Sequence, residues 1–208
     1  MDQKILAVFL NQVLIQSKFF LKAADDLDTA LNSAERDSVT NVFFALQSML
    51  TSAANISKAL WGQGGSRSNE RVALRRLIGI SDSSAFRDVT MRNTFDHFDE
   101  RIEKWWQTST SRDPIDCAVI STDSVVVNSD PINWFRVFEP DTKQLYFWGQ
   151  QFDVQRLTDE GQKMPPQLER NLFETLQATW LKEHPANHDH RLCEELEKLF
   201  LADEQDAR

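Results

Sequence analysis

The sequence predicts a mainly α fold: an antiparallel helical bundle of four to five helices, with a small antiparallel β-hairpin or sheet inserted after the fourth helix. Three observations predict it. Apolar residues recur at helical spacing over long stretches of the first hundred residues. Short β-prone runs are confined to residues 115–155. The loops joining the first four helices are short, which favours antiparallel neighbours. At 41% hydrophobic residues, with 14 Phe and 6 Trp, the chain can bury a sizeable core.

Residues 3–23 read as the first helix, with Phe9, Val13 and Phe20 on one stripe and the acidic run Asp25 to Asp28 ending it. A second helix runs over 33–61, where Val42, Phe43, Leu46, Met49, Leu50 and Ile56 keep the same period. Gly62-Gln63-Gly64-Gly65-Ser66 is the clearest loop. A third helix covers 68–78 and stops at Gly79. Ser81 to Ser84 supply caps for a fourth helix over 84–108. Beyond it, 117–120 and 125–127 are β-prone, and the runs 134–138 and 145–148 flank Glu139-Pro140-Asp141-Thr142-Lys143, a hairpin turn in which Pro presets φ. Helices over 167–182 and 190–201 complete the chain. The division is therefore residues 1–110 as helical bundle and 111–208 as hairpin plus C-terminal helices packed on it, one compact domain.

Cys117 and Cys193 form neither a CxxC nor a disulfide framework, which suits a reducing compartment. The apolar run Ile5 to Leu10 is too short for a membrane span and has no small-residue cleavage site, so the expected location is the cytoplasm, with no membrane contact. A net charge of −9 argues against a dedicated duplex-DNA binder. The charge is uneven: residues 62–92 hold six Arg against three acidic residues, while 93–208 hold 12 basic and 23 acidic residues. A basic middle is compatible with a polyanion site; a solvated Arg-rich helix is the plainer reading.

The most informative stretch is Met91-Arg-Asn-Thr-Phe-Asp-His-Phe-Asp-Glu-Arg-Ile102. On a helical wheel Met91, Phe95, Phe98, Ile102, Trp105 and Trp106 gather within roughly 100°, which defines a core face. His97 falls roughly 130° from its centre. Asn93 stands one turn before His97 and Glu100 one turn after, with Arg92 and Asp96 beside them. A solvent-facing surface with pairs such as Arg92 and Asp96 has the same pattern.

Arg92-Asn93-Thr94-Phe95-Asp96-His97, on the fourth helix of a helical chain and followed by a β-hairpin, resembles the HEPN superfamily (higher eukaryotes and prokaryotes nucleotide-binding) over residues 1–155. The hallmark of that family is an Arg followed after four to six residues by a His, with a polar residue after the Arg. The resemblance implies a metal-independent endoribonuclease that needs no cofactor and acts as a homodimer whose motif helices build one composite cleft. It further implies RNA as substrate and a setting such as a toxin–antitoxin or phage-defence system, with a cognate antitoxin or inhibitor as partner. His97 would be general acid or base, Arg92 would stabilise the phosphorane, and Asn93 would support them. Asp96 and Glu100 would orient His97 or Arg92, and Arg67, Arg71, Arg75, Arg76 and Arg87 would draw in RNA. A catalytically silent nucleotide-binding or protein-interaction module is the alternative.

Other patterns carry less. His184, His188 and His190 with Cys193 have zinc-compatible spacing, but no second cluster completes a zinc module, and no metal site is expected. Gly64-Gly65 lacks the Lys of a phosphate-binding loop.

Overall fold

The computed structural model describes residues 2–34, 37–62, 66–88, 90, 98–121 and 130–183. The chain is mostly helical and carries a small four-stranded mixed sheet. Helix α1 spans Gln3–Leu31, capped by the Asp2 carboxylate, which accepts from the Lys4 backbone N–H at 2.8 Å. The predicted stop at Asp25 to Asp28 does not occur. The stripe Leu10, Val13, Ser17, Phe20, Ala24, Leu27 continues past it, buried, while Asp25, Asp26 and Asp28 face solvent. Acidic groups near a helix C-terminus oppose its dipole. Here Lys143 reaches from the sheet to Asp28 at 3.1 Å and offsets the charge.

Helix α2 (Ser38–Trp61) packs antiparallel to α1 through Val42, Leu46, Met49, Ala53, Ile56 and Leu60. It ends at Gly62, whose φ of 66° suits glycine. The single helix expected over 68–78 is two pieces, α3 (Ser66–Glu70) and α4 (Val72–Leu77), with Arg71 at the break. Its predicted end holds: Gly79 has φ 71°, and Ile80 N–H returns to the Arg75 carbonyl at 2.9 Å.

The helix expected to begin at residue 84 does not. Ser84 caps a single 3-10 turn, Ala85–Arg87, and Asp88 is extended. Phe86 plugs into the core there, and Glu160 accepts the Ala85 N–H at 2.8 Å, which fixes the turn in place of an α-helix. Helix α5 is Phe98–Thr108.

The sheet runs β1 (Ala118–Val119), β2 (Val137–Glu139), β3 (Gln144–Phe147) and β4 (Gln150–Asp153), in that spatial order. The predicted hairpin is β2–β3, closed by residues 140–143. The sheet is not purely antiparallel as predicted, because β1 pairs parallel to β2. A second hairpin, β3–β4, turns at Trp148-Gly149, where φ is 54° and 74°. Residues 125–127 and 190–201 lie outside the described residues. Helix α6 (Val154–Gly161), which the sequence did not announce, and α7 (Met164–Glu183) follow. Helix α7 is antiparallel to α1: Glu169 meets Lys18 at 3.0 Å and Lys182 meets Gln3 at 2.8 Å.

Phe138 and Leu145, cross-strand partners, join Val154, Leu168 and Leu172 in the same core as α1 and α2. Val137 faces the other way, with Ile120 and Trp134. By length and composition α1 could cross a membrane, with a mean hydropathy of 1.3 over its most apolar 18 residues. Its buried stripe packs against α2 and α7.

One close approach tests this packing. A Cβ on Gly161 would stand 2.7 Å from Phe20 Cε1, and Phe20 is itself held edge-on to Phe86 with ring centroids 5.4 Å apart. Gly161→Ala is expected to cost about 2 kcal/mol, read as a lower urea midpoint. An unchanged midpoint would show that the Phe20 ring turns aside freely.

Candidate functional site

Arg92, Asn93, Asp96 and His97 lie outside the described residues, as do Met91 and Phe95. What the structure defines is how the chain enters and leaves this stretch. On the entry side the Thr90 N–H donates to the Asp88 carboxylate at 2.9 Å, a local turn. On the exit side α5 is anchored to the sheet by aromatic rings. Phe98 meets Trp148 at 5.7 Å and Phe147 at 6.4 Å between centroids, and the Arg136 guanidinium lies 5.3 Å over the Phe98 ring.

Two further groups pin the arrangement. Asp116 holds Arg136 through a bidentate pair, with Nε to Oδ1 at 2.6 Å, and that hydrogen bond raises the guanidinium above its ordinary pKa. One helical repeat down, Trp105 stands edge-on to Phe135 at 4.8 Å and donates its indole N–H to Asn133 at 2.9 Å. Asn133 also accepts from Ser109 at 2.7 Å and donates to Ser111 at 2.9 Å, so its buried amide is satisfied.

The expected core face of this helix needs correction. Of its described members only Trp105 is buried and Phe98 is half-buried; Ile102 is 38% exposed and Trp106 54% exposed. The helix rests on the sheet through positions 98 and 105, two turns apart, so a narrow stripe suffices. Trp106 carries the Arg112 guanidinium at 4.4 Å instead. Glu100 and Asp99 are both exposed in the first described turn of α5.

The five arginines expected to draw in RNA divide sharply. Helix α2 ends with carbonyls that have no partner inside the helix, and two of the five supply one. Arg71 donates to the Lys58 and Ala59 carbonyls and lies 4.5 Å over the Phe9 ring. Burial, then the neighbouring Arg67 charge, pull its pKa down. Arg75 is 6% exposed and donates to the Leu60 carbonyl at 2.7 Å and the Ser68 carbonyl at 2.9 Å. Positive groups at this end also favour the α2 dipole. Arg67, Arg76 and Arg87 are exposed. Arg87 donates to the Asp82 carbonyl at 3.0 Å. Asp82 gathers the cluster: the Trp61 indole N–H at 3.0 Å, then Arg87 and Arg75, hold its carboxyl below the usual carboxylate range.

Sequence reasoning missed a cleft of about 250 Å³ beside the entry side. Asp88, Gln151, Asp153 and Arg156 supply its polar wall and Leu50 and Phe152 part of its apolar one. Arg156 is held by the Ser83 carbonyl at 2.7 Å, and Asp153 caps α6 by accepting the Arg156 N–H at 2.9 Å. These residues come from α2, the turn, β4 and α6, so no local pattern marks them. Among the described residues no group of three His, Cys, Asp or Glu side chains is placed to hold a metal ion; His184, His188, His190 and Cys193 lie outside them. Comparison with family models, with curated proteins and with solved structures finds no match to this chain.

Proposed function

We propose that this chain is a metal-independent endoribonuclease of the HEPN type, built on an antiparallel helical bundle with a sheet insertion. The observation that carries the reading is the motif Arg92-Asn93-Thr94-Phe95-Asp96-His97, directly before a helix that the sheet anchors at Phe98. The 2′-hydroxyl of RNA is the nucleophile. Its oxygen bonds to phosphorus as the bond to the 5′-oxygen breaks. One proton leaves the 2′-oxygen and one reaches the 5′-oxygen, leaving a 2′,3′-cyclic phosphate and a 5′-hydroxyl. A histidine can give or take such a proton at neutral pH, which is the role of His97. Arg92 meets the charge that grows on the phosphoryl oxygens, and Asn93 positions the pair.

Two copies bring their motifs to one composite cleft, in the cytoplasm, with no cofactor, under restraint by an antitoxin or inhibitor in a toxin–antitoxin or phage-defence setting. Arg67, Arg76 and Arg87 are the exposed basic groups available to RNA phosphates; Arg71 and Arg75 hold α2. A second reading, a silent nucleotide-binding or interaction module, is favoured by exposed Asp99 and Glu100, two and three residues after His97, which add negative charge beside the motif.

The test is an end-labelled structured RNA incubated with the purified protein in EDTA. Cleavage that survives EDTA and leaves cyclic-phosphate ends supports the nuclease. No cleavage across several RNAs, or ends of another kind, refutes it.

A further inference from the structure

The cleft of about 250 Å³ where the chain enters the motif has walls of unlike chemistry. Leu50 and the half-buried Phe152 belong to its apolar wall. Rings elsewhere on the sheet pair with one another, as Trp134 does with Tyr146 and Phe147 with Trp148. The Phe152 ring meets no other ring among the described residues. On the polar side the Asp88 carboxylate accepts the Thr90 N–H at 2.9 Å, and the Arg156 guanidinium donates to the Ser83 carbonyl at 2.7 Å. No ion pair among the described residues joins these two groups. The carboxylate therefore keeps acceptor capacity, and the guanidinium keeps N–H donors, for a ligand. Asp153 is engaged, capping α6 by accepting the Arg156 N–H at 2.9 Å.

We propose that this cleft is a base-binding site that takes guanine. Of the four RNA bases, guanine alone presents two donors, N1–H and N2–H, on one edge and two acceptors, O6 and N7, on the next. The Asp88 carboxylate meets the donors, the Arg156 guanidinium meets the acceptors, and the Phe152 ring stacks on the base plane. Adenine and cytosine offer the carboxylate one amino group and uracil offers it one N–H, so each leaves part of the polar wall unmet. Asp88 and Asp153 outnumber Arg156, so the cleft disfavours a phosphate and admits an uncharged base. Asp88 stands four residues before Arg92, a chain reach of at most about 14 Å, short enough for one RNA strand to engage both. Taking the base from RNA rests on the ribonuclease reading; the chemistry of the cleft stands without it.

The test is calorimetric titration of the full-length protein with the 5′-monophosphates of guanosine, adenosine, cytidine and uridine at millimolar concentration. Guanosine monophosphate is expected to bind about 10-fold or more tighter than the other three. Asp88→Asn and Phe152→Leu are each expected to weaken its binding by about 10-fold, with unchanged circular dichroism. Asparagine still accepts the Thr90 N–H, and leucine still fills the apolar wall. No binding of guanosine monophosphate, equal binding of all four nucleotides, or binding unchanged in either variant would each overturn the site. Guanine binding without RNA cleavage upholds the cleft and refutes the nuclease; RNA cleavage without guanine binding does the reverse.

Discussion

Arg75→Ala is expected to lower the stability of the chain by about 3 kcal/mol, seen as a lower urea midpoint with an unchanged slope. The guanidinium is buried between the end of α2 and helix α3. It donates to the Leu60 carbonyl at 2.7 Å and the Ser68 carbonyl at 2.9 Å, lies 3.5 Å from the Asp82 carboxylate and stacks over the Trp61 ring at 5.6 Å. Truncation leaves the Leu60 carbonyl without this donor, leaves the Ser68 carbonyl with the Arg71 N–H alone, and opens a void beside Trp61. Arg75→Lys is expected to recover less than half the loss, because one ammonium cannot replace the planar fork that spans both carbonyls and the carboxylate. A loss below about 1 kcal/mol for Arg75→Ala would mean that water takes over the guanidinium's hydrogen bonds.

His97→Ala and Arg92→Ala are each expected to slow RNA cleavage by about 10²–10⁴-fold, with helical circular dichroism unchanged. The two losses differ in kind. Without His97 the proton to or from ribose must come from water, and the dependence of rate on pH that His97 supplies disappears. Without Arg92 that dependence remains, but charge on the phosphoryl oxygens goes unmet. Arg92→Lys keeps the charge and loses the two-pronged donor, so it falls between wild type and Arg92→Ala. Cleavage unchanged in both alanine variants would place the activity elsewhere.

The long helices were legible because their stripes repeat often enough to be unambiguous. The β2–β3 hairpin was legible through Pro140 and the apolar runs beside it, and the end of α4 through Gly79. Other features depend on partners distant in sequence. Asp25 to Asp28 stop no helix because Leu27 and Ala30 bury themselves and Lys143 arrives from the sheet. The β3–β4 turn puts Trp148 at φ 54°, where sequence rules expect Asn or Gly, and rings from Phe135 and Phe98 hold it there. Helix α6 is eight residues long with few apolar positions, too short for periodicity to register. In the basic middle the sequence shows six arginines and no hint of how the five described ones divide. Only the chain reversal at Gly62 brings Arg71 and Arg75 back to the carbonyl end of α2 and leaves Arg67, Arg76 and Arg87 outside.

The antiparallel contact of α1 with α7 has a consequence during synthesis. Helix α1 meets α2 as soon as both have been made, but its remaining apolar side stays open until α7 arrives; Gln3 and its partner Lys182 are 179 residues apart. At about 5–20 residues per second, that gap keeps Leu10, Val13 and Leu14 of the nascent chain without their full set of neighbours for roughly ten seconds or more. Helix α1 is thus among the last of the described helices to be fully covered, and a chaperone that shields it acts on the slowest-closing part of the core.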